Sequence, residues 1–464
     1  MNTPVQLSER VTIVGGGLVG ALLGTMLADR GARVTIFERR PDMRSATIQA
    51  GRSINLAMSD RGLRALEGAG LANDIRAIAI PMHGRMMHGV DGSTTYQPYG
   101  VEGQFINSVS RGELNKTLLT AAERSGVEIV FNARCVDVDL EWPGATFQLP
   151  TGETITSKAD ILFGADGAYS AVRGRMQFAD RFNYSQTYLE HGYKELHIPP
   201  DATGAFRLEK NALHIWPRKS FMMIGLPNLD GSFTMTLFFA HEGNPSFRTL
   251  DTRERVAEFF EEQFPDAVPL MPSLLDDFFT NPESSLMMVR CSPWVINNSV
   301  ALIGDAAHAI VPFYGQGMNC GFEDCRVLLE CIDAHNGDWA AALRHYEQLR
   351  KPAGNAILEL ALDNFVEMRD KVADPQFLLR KQIEAWLYSE YPTKFIPLYT
   401  LVTFSSDVPY NEAQRIGREQ DQLMTAVLEH PAVTLDWKSE AAQAYLRLVM
   451  EARPPISVAS GSPV

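Results

Sequence analysis

Apolar and polar positions along the chain fall into three regimes. The first opens with a short apolar run at 11–14, which meets Gly15-Gly16-Gly17-Leu18-Val19-Gly20 and continues as a helix-like stretch to about Arg30, capped by Gly31. Val34-Thr35-Ile36-Phe37 reads as a second strand ending at Glu38. Strand, helix and strand within about 30 residues form the building unit of a parallel sheet. In the middle of the chain the pattern changes. Short β-rich runs at 194–198, 212–216, 221–226 and 233–240 are parted by Pro, Gly, Asn and Asp, which predicts an antiparallel sheet joined by turns, inserted into the first domain. Near Val300 the first regime returns as Val300-Ala301-Leu302-Ile303 followed by a glycine-rich loop and a helix. After about Trp339 the chain reads as helical, with apolar residues at helical spacing over 343–349, 356–368 and 376–388. The tail from Arg453, rich in Pro, Ser and Gly, is expected to be loose.

Composition narrows the class. With 45% hydrophobic and 21% charged residues in 464, the chain is globular. Its 42 Lys+Arg against 56 Asp+Glu give a net charge of −14, which disfavours nucleic acid and anionic lipid as partners. No run reaches the roughly 18 apolar residues of a membrane span, and the polar start at 1–10 has no signal-peptide core. The five cysteines are odd in number and lack metal-like pairing, so free thiols and no metal site are expected. A soluble, cytoplasmic protein is the expectation.

Each glycine of the first loop has a distinct task. Gly15 allows the tight turn, Gly17 lets a pyrophosphate approach the backbone, and Gly20 lets the helix sit close to the sheet. The helix start then presents unpaired amides to the phosphates. Glu38, 18 residues beyond Gly20, is placed to accept hydrogen bonds from ribose hydroxyls. An acid there favours FAD or NAD over NADP, although Arg39 and Arg40 soften the point. Two later loops have plain readings as capped helix starts: Gly164-Ala165-Asp166-Gly167, with Asp166 or Ser170 as the cap, and Gly304-Asp305-Ala306-Ala307-His308. The stretch Pro312-Phe313-Tyr314-Gly315-Gln316-Gly317-Met318-Asn319 goes further, because two glycines flanking Gln316 before a helix leave backbone N–H groups free for an electron-rich ligand.

Together the three loops resemble the flavoprotein monooxygenases of the 4-hydroxybenzoate hydroxylase type, in that family's order. The resemblance sharpens to the kynurenine 3-monooxygenase family at 51–57, Gln97-Pro98-Tyr99-Gly100, His191-Gly192-Tyr193, 213–217, 311–319, Gly321-Phe322-Glu323-Asp324 and 395–405, and so spans most of the chain. It implies an α/β fold with three parts. A discontinuous FAD-binding Rossmann-like domain is expected at 1–75, 101–180 and 288–340, a substrate domain with an inserted antiparallel sheet at 76–100 and 181–287, and a C-terminal helical region at 341–464. FAD contacts are implied at Gly15, Gly17, Val19, Gly20, Glu38, Arg39, Arg40, Ala57, Arg111, Val136, Asp166, Asp305, Gly317, Met318 and Asn319.

The resemblance also implies that Arg85, Tyr99, Asn364 and Tyr399 hold an amino-acid substrate and that Phe238 and Phe313 line its aromatic pocket. An arginine fork beside a phenol suits an α-carboxylate; the plain alternatives are a surface ion pair for Arg85 and half-buried core positions for the tyrosines. Leu213, Met222 and Leu226 are further lining candidates, and Tyr314 has no assigned role. Pro312, Phe313, Gly315 and Gln316 are expected to wall the reacting oxygen. The implied reaction is hydroxylation of L-kynurenine to 3-hydroxykynurenine with NADPH and O2, by way of a flavin hydroperoxide. The preference for NADPH over NADH comes from the resemblance alone. A hydroxylase of another aromatic acid, or a non-catalytic flavin-binding regulator, remains the alternative, and a homodimer is left open. Animal and fungal members carry a C-terminal membrane anchor; the short polar end here implies an unanchored, bacterial-type form.

Overall fold

A computed structural model describes residues 4–45, 55–100, 103–367 and 375–456. Positions 51–54 and Met368, which carry part of the resemblance, lie outside the described residues. The strand Arg10–Val14 forms the centre of a six-stranded sheet. Arg33–Phe37 and Ile161–Gly164 flank it in parallel, with Val11 opposite both Val34 and Ile161. Glu128–Val130 and Val300–Leu302 extend the sheet outward, again in parallel, and the edge strand Val295–Ile296 runs antiparallel. Val11, Thr12, Ile13 and Val14 are all buried, which is why the strand is apolar without alternation: both sheet faces are covered. The helix Leu18–Ala28, buried from Gly20 to Leu27, covers one of them.

The second large sheet has seven strands, in the order Ser284–Ser292, Asn183–Ile198, Phe233–Ala240, Phe221–Pro227, Ala212–Arg218, Gly84–His88 and Thr94–Pro98. The predicted run at 194–198 is only the end of a 16-residue strand. Its first half alternates between exposed and half-buried positions while pairing with Ser284–Ser292, so it lacks the apolar run that marks the second half. The expected antiparallel pattern also has one exception. Ala212–Arg218 runs parallel to Gly84–His88, with Leu213 opposite Arg85. The Gly84–Pro98 hairpin arrives from an earlier part of the chain, so no tight turn forces it to run antiparallel to its neighbour.

The C-terminal region is helical, as expected, but its first two predicted segments are one helix, Trp339–Val366. Pro352 lies inside it on the exposed side. Proline removes a rung of the ladder, and buried neighbours on the inner face (Arg350, Ala353, Ala356, Ile357) hold the helix together across the gap. The helices Pro375–Glu390, Tyr410–Glu429 and Glu440–Glu451 then share a core of Ile383, Leu387, Met424, Val427 and Leu446. Of the tail only 453–456 are described, and there the N–H of Ile456 donates to the Thr393 carbonyl at 2.7 Å. Among the described residues no helix is long and apolar enough to cross a membrane.

Because Pro352 faces solvent and only removes a helix hydrogen bond, Pro352→Ala should raise the unfolding free energy by about 1–3 kcal/mol. Urea unfolding should show a higher midpoint at unchanged slope; a lower midpoint would show that the local backbone has adapted to the ring.

Candidate active site

A cavity of about 460 Å³ joins the two large sheets. Gly15, Gly17, Leu18, Val19, Glu38, Arg39 and Arg40 line one end. Ala57, Arg111, Asp166, Asp305, Gly317 and Met318 line the middle, and Arg85, Leu213, Met222, Leu226, Phe238, Phe313, Tyr314 and Tyr399 line the other end. Pro312 and Gly315 also line it.

The glycine turn divides its labour as expected. Gly15 sits at φ +108°, and a Cβ there would lie 2.5 Å from the Ala165 carbonyl oxygen. A Cβ on Gly20 would lie 2.0 Å from the Gly15 carbonyl oxygen, so the helix is pressed against the turn. At Gly17 a Cβ would meet nothing within 4 Å. Protein packing therefore does not require glycine at 17; the open space belongs to the cavity. The helix start has no side-chain cap, which leaves its first amides for a ligand.

Three carboxylates face this space. Glu38 is buried, with Oε2 accepting from the Gly16 N–H at 2.8 Å and Oε1 from the Arg40 N–H at 2.9 Å. Arg40 Nε also donates to Oε1 at 3.1 Å, so one of the carboxylate's lone-pair positions remains for a hydroxyl donor. Asp166 is both the predicted cap and more: Oδ2 accepts from the Ala171 N–H at 2.6 Å, Ser170 caps the Arg173 N–H at 2.9 Å, and Asp166 Oδ1 is buried without a partner. Burial pushes the pKa of Asp166 and of Asp305 above the usual carboxylate range. A buried, unpartnered carboxylate oxygen and a glycine open to the cavity are the features that a dinucleotide with ribose or ribityl hydroxyls would satisfy. The residues present fit FAD.

At the far end, Arg85 Nε is buried without a hydrogen-bond partner. Its guanidinium carbon lies 4.4 Å from the Tyr399 ring centroid and 5.3 Å from that of Tyr99. No carboxylate pairs with Arg85 among the described residues. Tyr399 stacks between Tyr99 and Tyr314, each 5.6 Å away centroid to centroid. Burial pushes the pKa of the Tyr99 and Tyr314 phenols well above the ordinary value, so both are neutral donors. Phe238 and Phe313 meet at 5.0 Å.

Several expected site residues stand behind the wall and do not line it. Tyr99 is buried beneath Tyr399, with its hydroxyl unpartnered. Gln316 turns inward, where its Oε1 accepts from the Tyr410 hydroxyl at 2.9 Å. Asn319 is fully buried and donates to the carbonyls of Ala57 and Gly315 at 2.9 and 2.8 Å, so it shapes two lining residues through their backbone. Asn364 donates to the Phe313 carbonyl at 2.7 Å. Val136 is exposed on the strand Arg134–Asp139, and the residues before it, Ala133, Arg134 and Cys135, line the cavity instead. Gly20 serves packing. Conversely, Ile224, Thr236 and Tyr193 line the cavity without having been singled out. Ile224 was findable, since it shares a strand face with Met222 and Leu226 by the period of two.

His308, Cys320 and Asp324 bring ligand-type atoms within 4.8 Å of one another in the core. Asp324 already holds His308 Nε2 at 2.6 Å and Arg350 Nε at 2.6 Å, and Arg350 Nη2 stands 3.3 Å from Cys320 Sγ. The arginine supplies the positive charge that a cation would bring.

A parallel-sheet nucleotide cleft continuous with a cationic, aromatic pocket on a second sheet defines a flavin-dependent monooxygenase arrangement. Residues 8–361 match the FAD binding domain family. The chain is 49% identical to the kynurenine 3-monooxygenase of Flavobacterium psychrophilum over 94% of this chain and 97% of that relative. It is 48% identical to that of Myxococcus xanthus over 91% of each, and 46% identical to that of Dictyostelium discoideum over 92% and 94%. Among solved structures it resembles 2-methyl-3-hydroxypyridine-5-carboxylic acid oxygenase, with TM-score 0.63 and 23% identity over 84% of this chain and 98% of that one. Pseudomonas aeruginosa PqsL in complex with 2-aminobenzoylacetate gives 0.64 and 20% over 82% and 100%. The chain belongs to the FAD binding domain family and, within it, to the kynurenine 3-monooxygenases.

The two glycines should respond differently to a methyl group. Gly17→Ala should fold with stability within about 0.5 kcal/mol of the parent yet bind FAD more weakly. Gly20→Ala should lose about 1–3 kcal/mol of stability or more through overpacking. Flavin fluorescence on the apoprotein and thermal unfolding separate the outcomes; equal FAD affinity in Gly17→Ala would remove the turn from the phosphate site.

Proposed function

We propose that this chain hydroxylates L-kynurenine to 3-hydroxykynurenine, using NADPH and O2 with FAD as resident cofactor. The observation that carries the reading is Arg85, a guanidinium on the cavity wall held by tyrosine faces, with no carboxylate partner among the described residues. An anionic group of the substrate completes it, and kynurenine's α-carboxylate is of that kind. The overall balance is kynurenine, NADPH, H⁺ and O2 to 3-hydroxykynurenine, NADP⁺ and water.

When bound, FAD supplies electron transfer from NADPH and activation of O2. Gly17 and the helix start would hold its phosphates, and Glu38, Asp166 and Asp305 its hydroxyls. Arg85 binds the substrate carboxylate, with the Tyr399 and Tyr99 rings at its flank. Met222, Leu226, Phe238 and Phe313 enclose the aromatic ring and exclude water from it. Among the described residues the acids lining the cavity are Glu38, Asp166 and Asp305, all among the proposed cofactor residues, and no histidine lines it. The substrate's own amine makes the adjacent ring carbon electron-rich, so positioning and dryness are the protein's share of the work. All five cysteines are free, which supports a place in the reducing cytoplasm.

Incubation with kynurenine, NADPH and O2 should yield a product heavier by one oxygen atom. Substrate-independent NADPH oxidation, or no flavin on the purified protein, would favour another acid or a regulator. Arg85→Ala should weaken kynurenine binding by about 2–3 kcal/mol, the range for a hydrogen-bonded charge, with FAD binding unchanged. Tyr99→Phe, whose hydroxyl lies behind the wall without a partner, should leave kynurenine affinity within about 0.5 kcal/mol of the parent. Flavin-fluorescence titration reads both, and parent-like affinity in Arg85→Ala would sink the carboxylate assignment.

A further inference from the structure

Arg61 does not line the cavity, and its side chain is 0% exposed. Its guanidinium donates chiefly to backbone: Nε to the Val402 carbonyl at 2.6 Å, and Nη2 to those of Leu401, Ser405 and Val408 at 3.1, 3.1 and 2.5 Å. These carbonyls belong to the end of the helix Leu398–Thr403 and the turn after it. The last carbonyls of a helix have no partner within it, so Arg61 closes off this segment. Nη1 pairs with Glu323 Oε1 at 2.9 Å, and the guanidinium lies 4.0 Å from the Tyr410 ring centroid.

Both ends of this junction carry residues of the cavity. Leu398–Thr403 contains Tyr399, the middle ring of the tyrosine stack and the face on which Arg85 rests. Gly317–Ala334 contains Glu323 and begins at Gly317 and Met318, which line the flavin end. We infer that Arg61 is a positioning residue for hydroxylation: it fixes the distance between the carboxylate clamp and the flavin end by binding the Tyr399 segment to the flavin helix. The inference rests on the kynurenine reading given above. A lysine would keep the charge and the Glu323 pair, but a single ammonium cannot span that carbonyl set as a planar fork does.

The test compares the parent holoenzyme with Arg61→Lys. Displacing a reacting pair by about 1 Å can cost on the order of a hundredfold. We expect the kynurenine dissociation constant to rise about tenfold or more and the FAD dissociation constant to stay within about twofold. Product formed per NADPH oxidised should fall, with the difference appearing as hydrogen peroxide (NADPH, H⁺ and O2 to NADP⁺ and H2O2). Amide exchange over 398–408 should quicken while that of the six-stranded sheet stays unchanged. Unaltered kynurenine affinity and coupling overturn the inference, as does an equal loss of FAD and kynurenine, which would mark a merely structural role. If Arg61→Lys does not hold FAD, Glu323→Gln is judged on the same readouts. A parent enzyme that fails to bind kynurenine overturns the substrate reading and this inference with it; a parent that binds, beside an Arg61→Lys that binds equally, overturns this inference alone.

Discussion

Two adjacent carboxylates, Glu323 and Asp324, lie in the interior of the helix Gly317–Ala334 with side-chain exposures of 3% and 0%. Around them the sheets and helices are brought together. Burial opposes their charge, yet Arg350 and Arg61 hold Glu323, and His308 and Arg350 hold Asp324, below the ordinary carboxylate range. Asp324 Oδ2 also accepts from the Gly304 N–H at 3.1 Å. Such a network gains little over an apolar core of the same shape, but removing one member strands a buried charge at about 3–5 kcal/mol. Its members come from the helix Asp60–Gly68, the loop after Val300–Leu302, and the long helix Trp339–Val366. The network therefore ties the segment 304–308 and the helix Asp60–Gly68 to the helices Gly317–Ala334 and Trp339–Val366.

Arg85 is the counterpoint. Each cation of the network has a carboxylate within 3 Å, whereas Arg85 has ring faces at 4.4 and 5.3 Å. Cation–π contact offsets only about 0.5–2 kcal/mol of lost hydration. Arg173, Arg218 and Lys194 are also buried without a carboxylate partner among the described residues, but they donate to backbone carbonyls. The place of Arg85 on the cavity wall, together with its missing partner, is what makes it the candidate for an anionic ligand.

Local chemistry was legible in the sequence; the long-range assembly was not. The glycine turn could be read because Gly15, Gly17 and Gly20 act within one turn: Gly15 takes the positive φ and Gly20 the close packing that the spacing implied, and Gly17 is open to the cavity. Asp166 could be read as a cap, but its second oxygen needed coordinates. Met222 and Leu226 were flagged and Ile224 between them was passed over, although alternation alone places all three together. Gln316, Asn319 and Asn364 carry the right chemistry in the right motifs yet point away from the cavity, since motif spacing fixes backbone and leaves side-chain direction to packing. Glu323 and Asp324 were part of a recognisable segment without a role. Their partners lie in helices far apart in sequence, and no local pattern connects Arg61 to the carbonyls of Leu401 and Val402.

The same separation of scales governs charge. The chain as a whole is at −14, which repels the anions it is built to hold. The cavity wall reverses the sign, with Arg39, Arg40, Arg85, Arg111 and Arg134 against Glu38, Asp166 and Asp305. Burial raises the pKa of Asp166 and Asp305. A low-dielectric cleft with a positive lining focuses the field inward. On the proposed reading, phosphate would be drawn to the glycine turn and carboxylate to Arg85, against an acidic exterior. Bulk charge and site charge thus perform opposite tasks, and the boundary between them is the mouth of one cavity.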